Sequence, residues 1–298
     1  MAAWQIISPL LLLFATSLYL INPTTCLESP IFLGWKCDPK ANYTENSPYH
    51  SNLLKAFSNL TSLSSFNTFS TFTAGSDDEA TNKVYALYDC RNDLPLRICH
   101  DCVEDAAKNL AQLCSSKEAK VTYEECLLRY ANRPIFAKME LEPYYRECQI
   151  SIPDGGELNR TIEPIFRGLI DQATSKNSSR YFAMEQMTYF EYQKVDCLVQ
   201  CTPDISREEC KECLMDALNY TLECANSSLM LSYHLAPSCQ MRYDVLQRFV
   251  NISSSPIPSS MASPPILSPQ LNTSDGSQCL ISIQIFIFVF FLFFCLML

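Results

Sequence analysis

Regularly spaced cysteines are the residues of this chain most suited to a chemical role. The pattern Cys-x8-Cys-x2-Cys occurs twice, at Cys90, Cys99 and Cys102 and again at Cys201, Cys210 and Cys213. Thiolates at this spacing can bind zinc, act as a redox pair, or be joined in structural disulfides. Zinc sites usually add imidazoles, but the chain has only three histidines, and a redox pair would not account for the other cysteines. We therefore expect structural disulfides, with no metal ligand and no cofactor.

These cysteines belong to a larger internal repeat. Each of the three recurs at an offset of 111 residues (201 − 90 = 111), and the same offset takes Cys37 to Cys148. The sequence Cys126-Leu-Leu-Arg-Tyr returns as Cys239-Gln-Met-Arg-Tyr. A period this long indicates two copies of a whole domain, because solenoid repeats are only roughly 20–50 residues long. We predict domain one at residues 29–138 and domain two at 144–250, packed together because no long linker separates them.

Helical spacing suggests which cysteines pair. Cys99 and Cys102 lie one turn apart on the same helix face, so both would point at the sheet. Cys90, at a strand end, could reach Cys99, and Cys102 could reach a later strand. The resulting pairs are Cys90–Cys99, Cys102–Cys126 and Cys37–Cys114 in domain one, and Cys201–Cys210, Cys213–Cys239 and Cys148–Cys224 in domain two. Six cysteines allow many connectivities, so spacing alone leaves the others open.

Domain two contains a seventh cysteine, Cys197, which stands opposite Ala86 when the copies are aligned. We predict that it is unpaired, as a buried free thiol on a strand. The alternatives are a Cys148–Cys197 disulfide that leaves Cys224 free, or a disulfide to another molecule.

Apolar periodicity predicts the elements that hold these cysteines. The first helix of each domain is predicted from residues at helical spacing, namely Leu53, Leu54, Phe57 and Leu60, and then Ile162, Phe166, Leu169, Ile170 and Ala173. Residues 84–90 and 195–201 alternate as strands do, and a second helix carries each Cys-x2-Cys pair. Residues 120–130 and 230–243 are predicted to be further strands. The fold class is therefore α+β, with each domain a small antiparallel sheet covered by two helices and stapled by about three disulfides.

The N-terminus indicates export, which would place the cysteines in an oxidising compartment. Residues 6–21 are apolar, and Thr24 and Cys26 suit a signal-peptidase site, so we predict a signal peptide at residues 1–26 and a mature chain starting near Leu27. We predict glycosylation at seven sequons, Asn42, Asn59, Asn159, Asn177, Asn219, Asn226 and Asn251. The net charge of −10 and the absence of a basic stripe argue against a nucleic-acid partner.

Beyond the domains the composition changes. Residues 251–279 are rich in Pro and Ser and are predicted to be a disordered stalk, and residues 280–298 form an apolar run. The run is long enough to span a bilayer, but no Lys or Arg follows it, as a stop-transfer segment would normally require. Small residues at Asn272 or Ser274 before the run fit a lipid-anchor signal, although Asn272 is also a sequon. We predict a glycosylphosphatidylinositol anchor at the outer face of the plasma membrane, with a retained span or full secretion to the apoplast as alternatives.

The cysteine pattern, with Cys-Leu-Leu-Arg-Tyr closing one copy and Gln-Cys-Thr-Pro-Asp at residues 200–204 of the other, resembles the plant ginkbilobin-homologous (salt-stress/antifungal) domain. Tandem copies occur in cysteine-rich repeat secretory proteins, plasmodesmata-located proteins and the ectodomains of cysteine-rich receptor-like kinases. The resemblance implies a sheet-and-two-helix fold and the disulfide pairing proposed above. Among these groups, the chain is most similar to a cysteine-rich repeat secretory protein with a membrane-directed C-terminus.

The resemblance also implies a sugar site, which this chain does not reproduce. The antifungal member of the family binds mannose through an Asn, an Arg and a Glu. The corresponding residues are Asp38, Lys120 and Ala131 in domain one and Gln149, Tyr233 and Asp244 in domain two. Lys120 keeps a positive charge but not the guanidinium fork, and Ala131 removes the acceptor. Mannose binding is therefore not expected at either site.

No catalytic constellation is recognisable. His100 is interpreted as an exposed helix residue and His234 as having no partner, and adjacent carboxylates such as Glu124 and Glu125 point in different directions. We therefore predict a non-enzymatic binding or interaction protein of the plant cell surface. It would recognise cell-wall or microbial carbohydrate in stress or defence. Alternatively, it would pair with other family ectodomains as a co-receptor or scaffold, including a plasmodesmata-located role.

Overall fold

The computed structural model describes residues 30–76, 81–151, 158–178, 181–190, 193–227 and 229–246. These residues lie in a single compact unit. The predicted signal peptide, the start at Leu27, the stalk, the apolar tail and the candidates Asn251, Asn272 and Ser274 fall outside the described residues. Within the described ranges, no helix combines the length and hydrophobicity that crossing a membrane requires.

Domain one is a five-stranded antiparallel sheet with two helices. Its strands are β1 (Phe32–Cys37), β2 (Phe69–Ala74), β3 (Val84–Cys90), β4 (Ala119–Tyr123) and β5 (Cys126–Ala131). Its helices are α1 (Pro48–Ser64) and α2 (Leu96–Leu113). The strands lie side by side in the order β1-β4-β5-β3-β2.

Domain two repeats this architecture. Its strands are β6 (Tyr145–Ser151), β7 (Phe182–Phe190), β8 (Gln193–Cys201), β9 (Leu229–Leu235) and β10 (Cys239–Leu246). Its helices are α3 (Leu158–Ala173) and α4 (Arg207–Asn226). The order β6-β9-β10-β8-β7 matches that of domain one strand for strand. The predicted α+β fold of two tandem domains is confirmed.

Capping side chains explain where two of the helices begin. The first backbone N–H groups of a helix have no partner within it, so a side chain must accept from them. The Ser47 hydroxyl accepts from the backbone N–H of His50 at 3.2 Å before α1. At α4, the Ser206 hydroxyl accepts from the N–H of Glu209 at 3.2 Å, and the Glu209 carboxylate accepts from the N–H of Ser206 at 2.8 Å. This reciprocal capping box fixes the first turn of α4.

The helices cover one face of each sheet and bury its apolar residues. In domain one, Val84, Ala86 and Tyr88 of β3 join Leu53 and Leu60 of α1 in one core cluster. The described residues contain six disulfides, three in each domain, as the predicted fold class requires. They join Cys37 to Cys114, Cys90 to Cys99, Cys102 to Cys126, Cys148 to Cys224, Cys201 to Cys210, and Cys213 to Cys239.

Three details differ from the sequence predictions. Leu54 is 46% exposed, because it lies one residue beyond the buried Leu53 and so about a quarter turn off the core stripe. Residues 120–130 form two strands, β4 and β5, separated by Glu124 and Glu125, and residues 230–243 likewise fall in two strands, β9 and β10. The edge strands β1, β2, β6 and β7 were not predicted at all.

Candidate functional site

The buried polar residues of both sheets lie mainly on the face that carries no helix. Side chains alternate along a strand, so residues between the core positions point away from the helices. Among them are Asp89, Lys120, Arg129, Gln200 and Arg242, each with an exposed fraction of at most 6%. Buried polar groups need partners, and here many of the partners come from the other domain.

Gln200 of β8 is the centre of the contact between the domains. Its amide nitrogen donates to Asp89 Oδ2 at 2.9 Å and to the carbonyl of Cys90 at 2.8 Å. Its amide oxygen accepts from the backbone N–H of Asn92 at 3.0 Å. Burial raises the pKa of Asp89 well above its ordinary value, against the opposing effect of the Gln200 amide. Asp89 and Gln200 are equivalent positions of the repeat (200 − 89 = 111), so the two copies meet at matching residues.

Arg242 of β10 makes a second contact across this interface. Its guanidinium donates to the carbonyl of Glu124 at 3.0 Å and lies 3.8 Å from the Glu124 carboxylate. The guanidinium also stacks over the Tyr233 ring, 5.0 Å from its centroid. Burial and the nearby Arg91 lower the pKa of Arg242 to about 10.

A cleft of about 300 Å³ lies at the edge of the helix-free face of domain one. Lys120 of β4 and Arg129 of β5 line it, and the segment that connects the domains borders it through Glu140 and Pro143. The Lys120 ammonium donates to the carbonyl of Pro143 at 2.5 Å. Burial lowers the pKa of Lys120 to about 7, and Arg129 contributes to the shift.

Two arginines and two carboxylates form a network along one side of this cleft. Arg129 Nη1 lies 2.6 Å from Glu140 Oε2. Arg133 contacts Glu140 and Glu118, each at 2.5 Å. Burial works against ionisation of Glu140, but the guanidinium groups of Arg133 and Arg129 hold its pKa below the ordinary value. These four charges balance one another.

The structure brings together one of the two residue sets that correspond to the family sugar site. Asp38, Lys120 and Ala131 all line the cleft of domain one. In domain two, Tyr233 is buried and has Arg242 over its ring, and burial together with Glu124 raises the pKa of Asp244. Of the two sets, the one in domain one therefore lines the cleft.

Asp38 and Lys120 were named from the sequence, but several of the residues around them were not proposed as site residues. Arg129 and Arg242 are equivalent residues of the repeated Cys-x2-Arg-Tyr motif. The recurrence of the arginine in both copies was the sequence signal that could have identified them. Glu140 lies in the connecting segment, where no pattern marks it. Gln200 was noticed only as part of the family motif.

The histidines do not form a catalytic centre with these residues. His234 is buried, and its Nδ1 accepts from Arg146 Nε at 3.0 Å, so the interpretation that it lacks a partner was wrong. Burial, Arg146 and Lys120 lower the pKa of His234 to about 4. His100 is partly buried, with Nδ1 3.1 Å from the carbonyl of Thr61, so it is not fully exposed as interpreted. Across the described residues, no group of three or more His, Cys, Asp or Glu side chains is placed to hold a metal.

Cys197 is buried and free on β8, and Cys148 is joined to Cys224. Burial raises the pKa of the Cys197 thiol to about 12. A neutral, buried thiol is a poor nucleophile and a poor metal ligand, so this residue has no evident chemical role.

The six described sequon asparagines differ in exposure. The exposed ones are Asn42, Asn177, Asn219 and Asn226. Asn59 and Asn159 are half-buried, and their side-chain amides donate to the Lys55 carbonyl at 2.8 Å and to Asn226 Oδ1 at 2.5 Å. Glycosylation at the exposed four would meet the least steric resistance.

An apolar edge also stands out on domain one. Ile31, Phe32 and Trp35 are 41–50% exposed on or beside β1, the edge strand of the sheet. The Phe32 ring packs against Trp35 and Tyr123 at centroid distances of 5.7 and 5.4 Å. An exposed aromatic group on an edge strand is a feature of protein-binding surfaces.

Comparisons with known proteins agree with this architecture. The family model described as salt stress response/antifungal matches residues 36–133 and 148–245. Cysteine-rich receptor-like protein kinase 25 of Arabidopsis thaliana is 34% identical over 266 residues, which cover 87% of this chain and 39% of the kinase. Cysteine-rich repeat secretory protein 1 of the same plant is 36% identical over 237 residues, which cover 74% of this chain and 67% of that protein.

A solved structure has the same fold. The tandem DUF26 ectodomain of the Arabidopsis thaliana cysteine-rich receptor-like protein PDLP8 matches with a TM-score of 0.63 at 24% identity. The match covers 73% of this chain and 99% of that ectodomain. By contrast, the chain spans only about two fifths of the length of the kinase relatives it matches.

Proposed function

This chain belongs to the salt stress response/antifungal family, and we propose that it is a non-catalytic extracellular protein that binds a saccharide in the cleft of domain one. The observation that carries this proposal is the cleft itself. It has about 300 Å³ at the positions that correspond to the family sugar site, and its walls present Asp38, Lys120 and Glu140. Small-molecule sites are concave and contain a few oriented polar groups, and this cleft has both features.

A glycan array with the purified mature protein tests this function. Asp38→Trp places a large side chain at the wall of the cleft and should abolish binding to the glycans that the wild type retains. The matched control is Gln149→Trp, at the equivalent position of domain two, which is exposed and outside the cleft. Binding that survives Asp38→Trp, or that Gln149→Trp removes, would place the site elsewhere.

The apolar edge favours a second function, pairing with another family ectodomain. Burying Phe32 and Trp35 against a partner would remove two large aromatic side chains from water, and aromatic residues of this kind dominate many protein interfaces. Trp35→Ser should weaken association in a screen against family ectodomains. Phe66→Ser is the control, because Phe66 is 76% exposed beyond the end of α1. Equal effects of the two variants would count against pairing through this edge.

For location, we propose attachment to the outer face of the plasma membrane through a lipid at Asn272 or Ser274. The support is the run of small residues followed by an apolar segment in the sequence. Phosphatidylinositol-specific phospholipase C should release the protein from intact cells. Retention on the treated cells would favour a membrane span.

A further inference from the structure

Two buried cations lie side by side in the cleft of domain one. Lys120 and Arg129 are directly opposite each other on the adjacent strands β4 and β5. They are 6% and 5% exposed, and both line the cleft. Like charges at directly opposite positions repel each other, and burial adds the cost of removing each from water.

Only one of these two cations makes a direct ion pair with a surrounding carboxylate, and Glu142 acts on Lys120 only from a greater distance. Glu140 pairs with Arg129 and also with Arg133, and Glu118 pairs with Arg133, so these four charges cancel. Lys120 contacts only the uncharged carbonyl of Pro143, and no described carboxylate lies within 4 Å of its ammonium. An ammonium has three donors, so two remain available. Arg129 Nε is buried without a hydrogen-bond partner as well.

The repeat shows that this imbalance is specific to domain one. An offset of 113 residues (239 − 126 = 113) takes Arg129 to Arg242 and Lys120 to Tyr233, which is uncharged. The Arg242 guanidinium also lies 3.8 Å from the Glu124 carboxylate of domain one. The equivalent of Glu124 is Pro237, which lines the cleft and offers no charge. At these positions domain two has one cation, Arg242, which has a nearby carboxylate. Domain one has a second cation, Lys120, which has no carboxylate in contact with it.

We propose that the cleft of domain one binds a saccharide through a carboxylate, as carried by a uronic acid unit, with the carboxylate held by Lys120 Nζ and Arg129 Nε. This inference rests on the proposed function and names its ligand class. A single negative charge matches the single cation that lacks a direct ion pair. A phosphate monoester fits less well, because Asp38 and Glu142 also border the cleft and would repel its second negative charge. The net charge of −10 disfavours general attraction of polyanions, so selectivity must come from these local contacts.

Isothermal titration calorimetry of the mature protein with trigalacturonate at pH 6 tests this inference. The first comparison ligand is the methyl ester of trigalacturonate, which keeps the size and removes the charge, and the second is neutral galactotriose. Trigalacturonate should bind at least about tenfold more tightly than either, since a hydrogen bond to an ionised group in a desolvated site is worth this much.

Variants of the protein separate the buried cation from the surface charge. Lys120→Gln should remove the preference for the acid over the ester. Lys40→Gln is the matched control, because this lysine lines the same cleft with its side chain 87% exposed, and the preference should survive there.

The results separate a failure of the carboxylate inference from a failure of saccharide binding as such. If the ester and the acid bind the cleft equally, the carboxylate inference is overturned and saccharide binding stands. A preference that survives Lys120→Gln but falls with Lys40→Gln would also overturn it, because surface charge would then be the cause. If no saccharide binds here or on the array, the proposed function falls with it.

Discussion

Lys120 is the residue whose charge state the structure makes most sensitive to pH. Charged and titratable groups surround it on several elements: β1 and the turn after it, β4 and the residue before it, β5, the connecting segment and β9. In that order they are Lys36, Asp38, Lys40, Glu118, Arg129, Glu140, Glu142 and His234. Its folded pKa of about 7 lies below the unfolded value of 10.5. The unfolded chain therefore binds more protons between these values, and stability contributed at this site rises with pH.

We expect Lys120→Met to stabilise the protein at pH 6 by about 1–3 kcal/mol, because it removes an uncompensated buried charge. The gain should be constant below pH 7 and should shrink steadily as the pH rises from 7 towards 10.5, since the wild-type lysine then folds in its neutral form and the cost of removing its proton falls with pH. Urea unfolding of both proteins at pH 6, 7 and 8.5 measures this difference. A gain that stays constant with pH would show that Lys120 does not titrate in this range.

Cys197 should be inert in the folded protein. Its thiol is buried, and its pKa is raised to about 12, so the reactive thiolate is scarce at neutral pH. Iodoacetamide at pH 8 should leave the peptide containing Cys197 unmodified in the folded protein and alkylate it fully in guanidinium chloride, as read by mass spectrometry. Rapid labelling of the folded protein, or a disulfide at Cys197, would contradict this.

At the scale of single elements, the capping box of α4 offers a clean test. Ser206→Ala removes the hydroxyl that accepts from the N–H of Glu209 and should lower the free energy of unfolding by about 1 kcal/mol. Ser58→Ala, at an exposed position inside α1, is the control and should leave stability unchanged or raise it by less than about 0.5 kcal/mol, because Ala is the better helix former. Chemical denaturation measures both. An equal effect at the two serines would show that the cap contributes nothing.

The sequence predicted some elements much better than others, and the reason is physical. The inner strands β3 and β8 alternate between the helix-covered core and the opposite face of the sheet, so their pattern is strong. The edge strand β1 exposes Phe32 and Trp35 while burying little, so its composition does not distinguish it from a loop. The charged network at Arg129 depends on Glu140 of the connecting segment, and such long-range partners leave no periodic signal.

At the scale of the whole molecule, Gln200 joins the two domains. Gln200→Ala removes three hydrogen bonds across the interface and leaves the buried Asp89 without its amide partner. We expect a loss of about 2–3 kcal/mol of stability, in keeping with unsatisfied buried polar groups. Gln186→Ala, on the exposed face of β7, should change stability by less than about 0.5 kcal/mol. Similar midpoints for the two variants in urea unfolding would mean that the interface contributes little.

The short join between the domains predicted that they would pack, but not how. Asp89 and Gln200 occupy equivalent positions and meet directly, which resembles the self-complementary contact of a twofold dimer. Sequence differences at other equivalent positions, such as Lys120 against Tyr233, then make the two copies unlike, and the Lys120 position lines the cleft of domain one.

The most direct test of the account is to locate the ligand on the protein. In a titration of ¹⁵N-labelled mature protein with trigalacturonate at pH 6, the amide resonances of Asp38, Lys120 and Ala131 should shift progressively and saturate. Those of Gln149, Tyr233 and Asp244, the equivalent positions of domain two, should not move. Shifts confined to domain two or to Trp35 on the apolar edge, or no shifts at all, would contradict a binding site in the cleft of domain one.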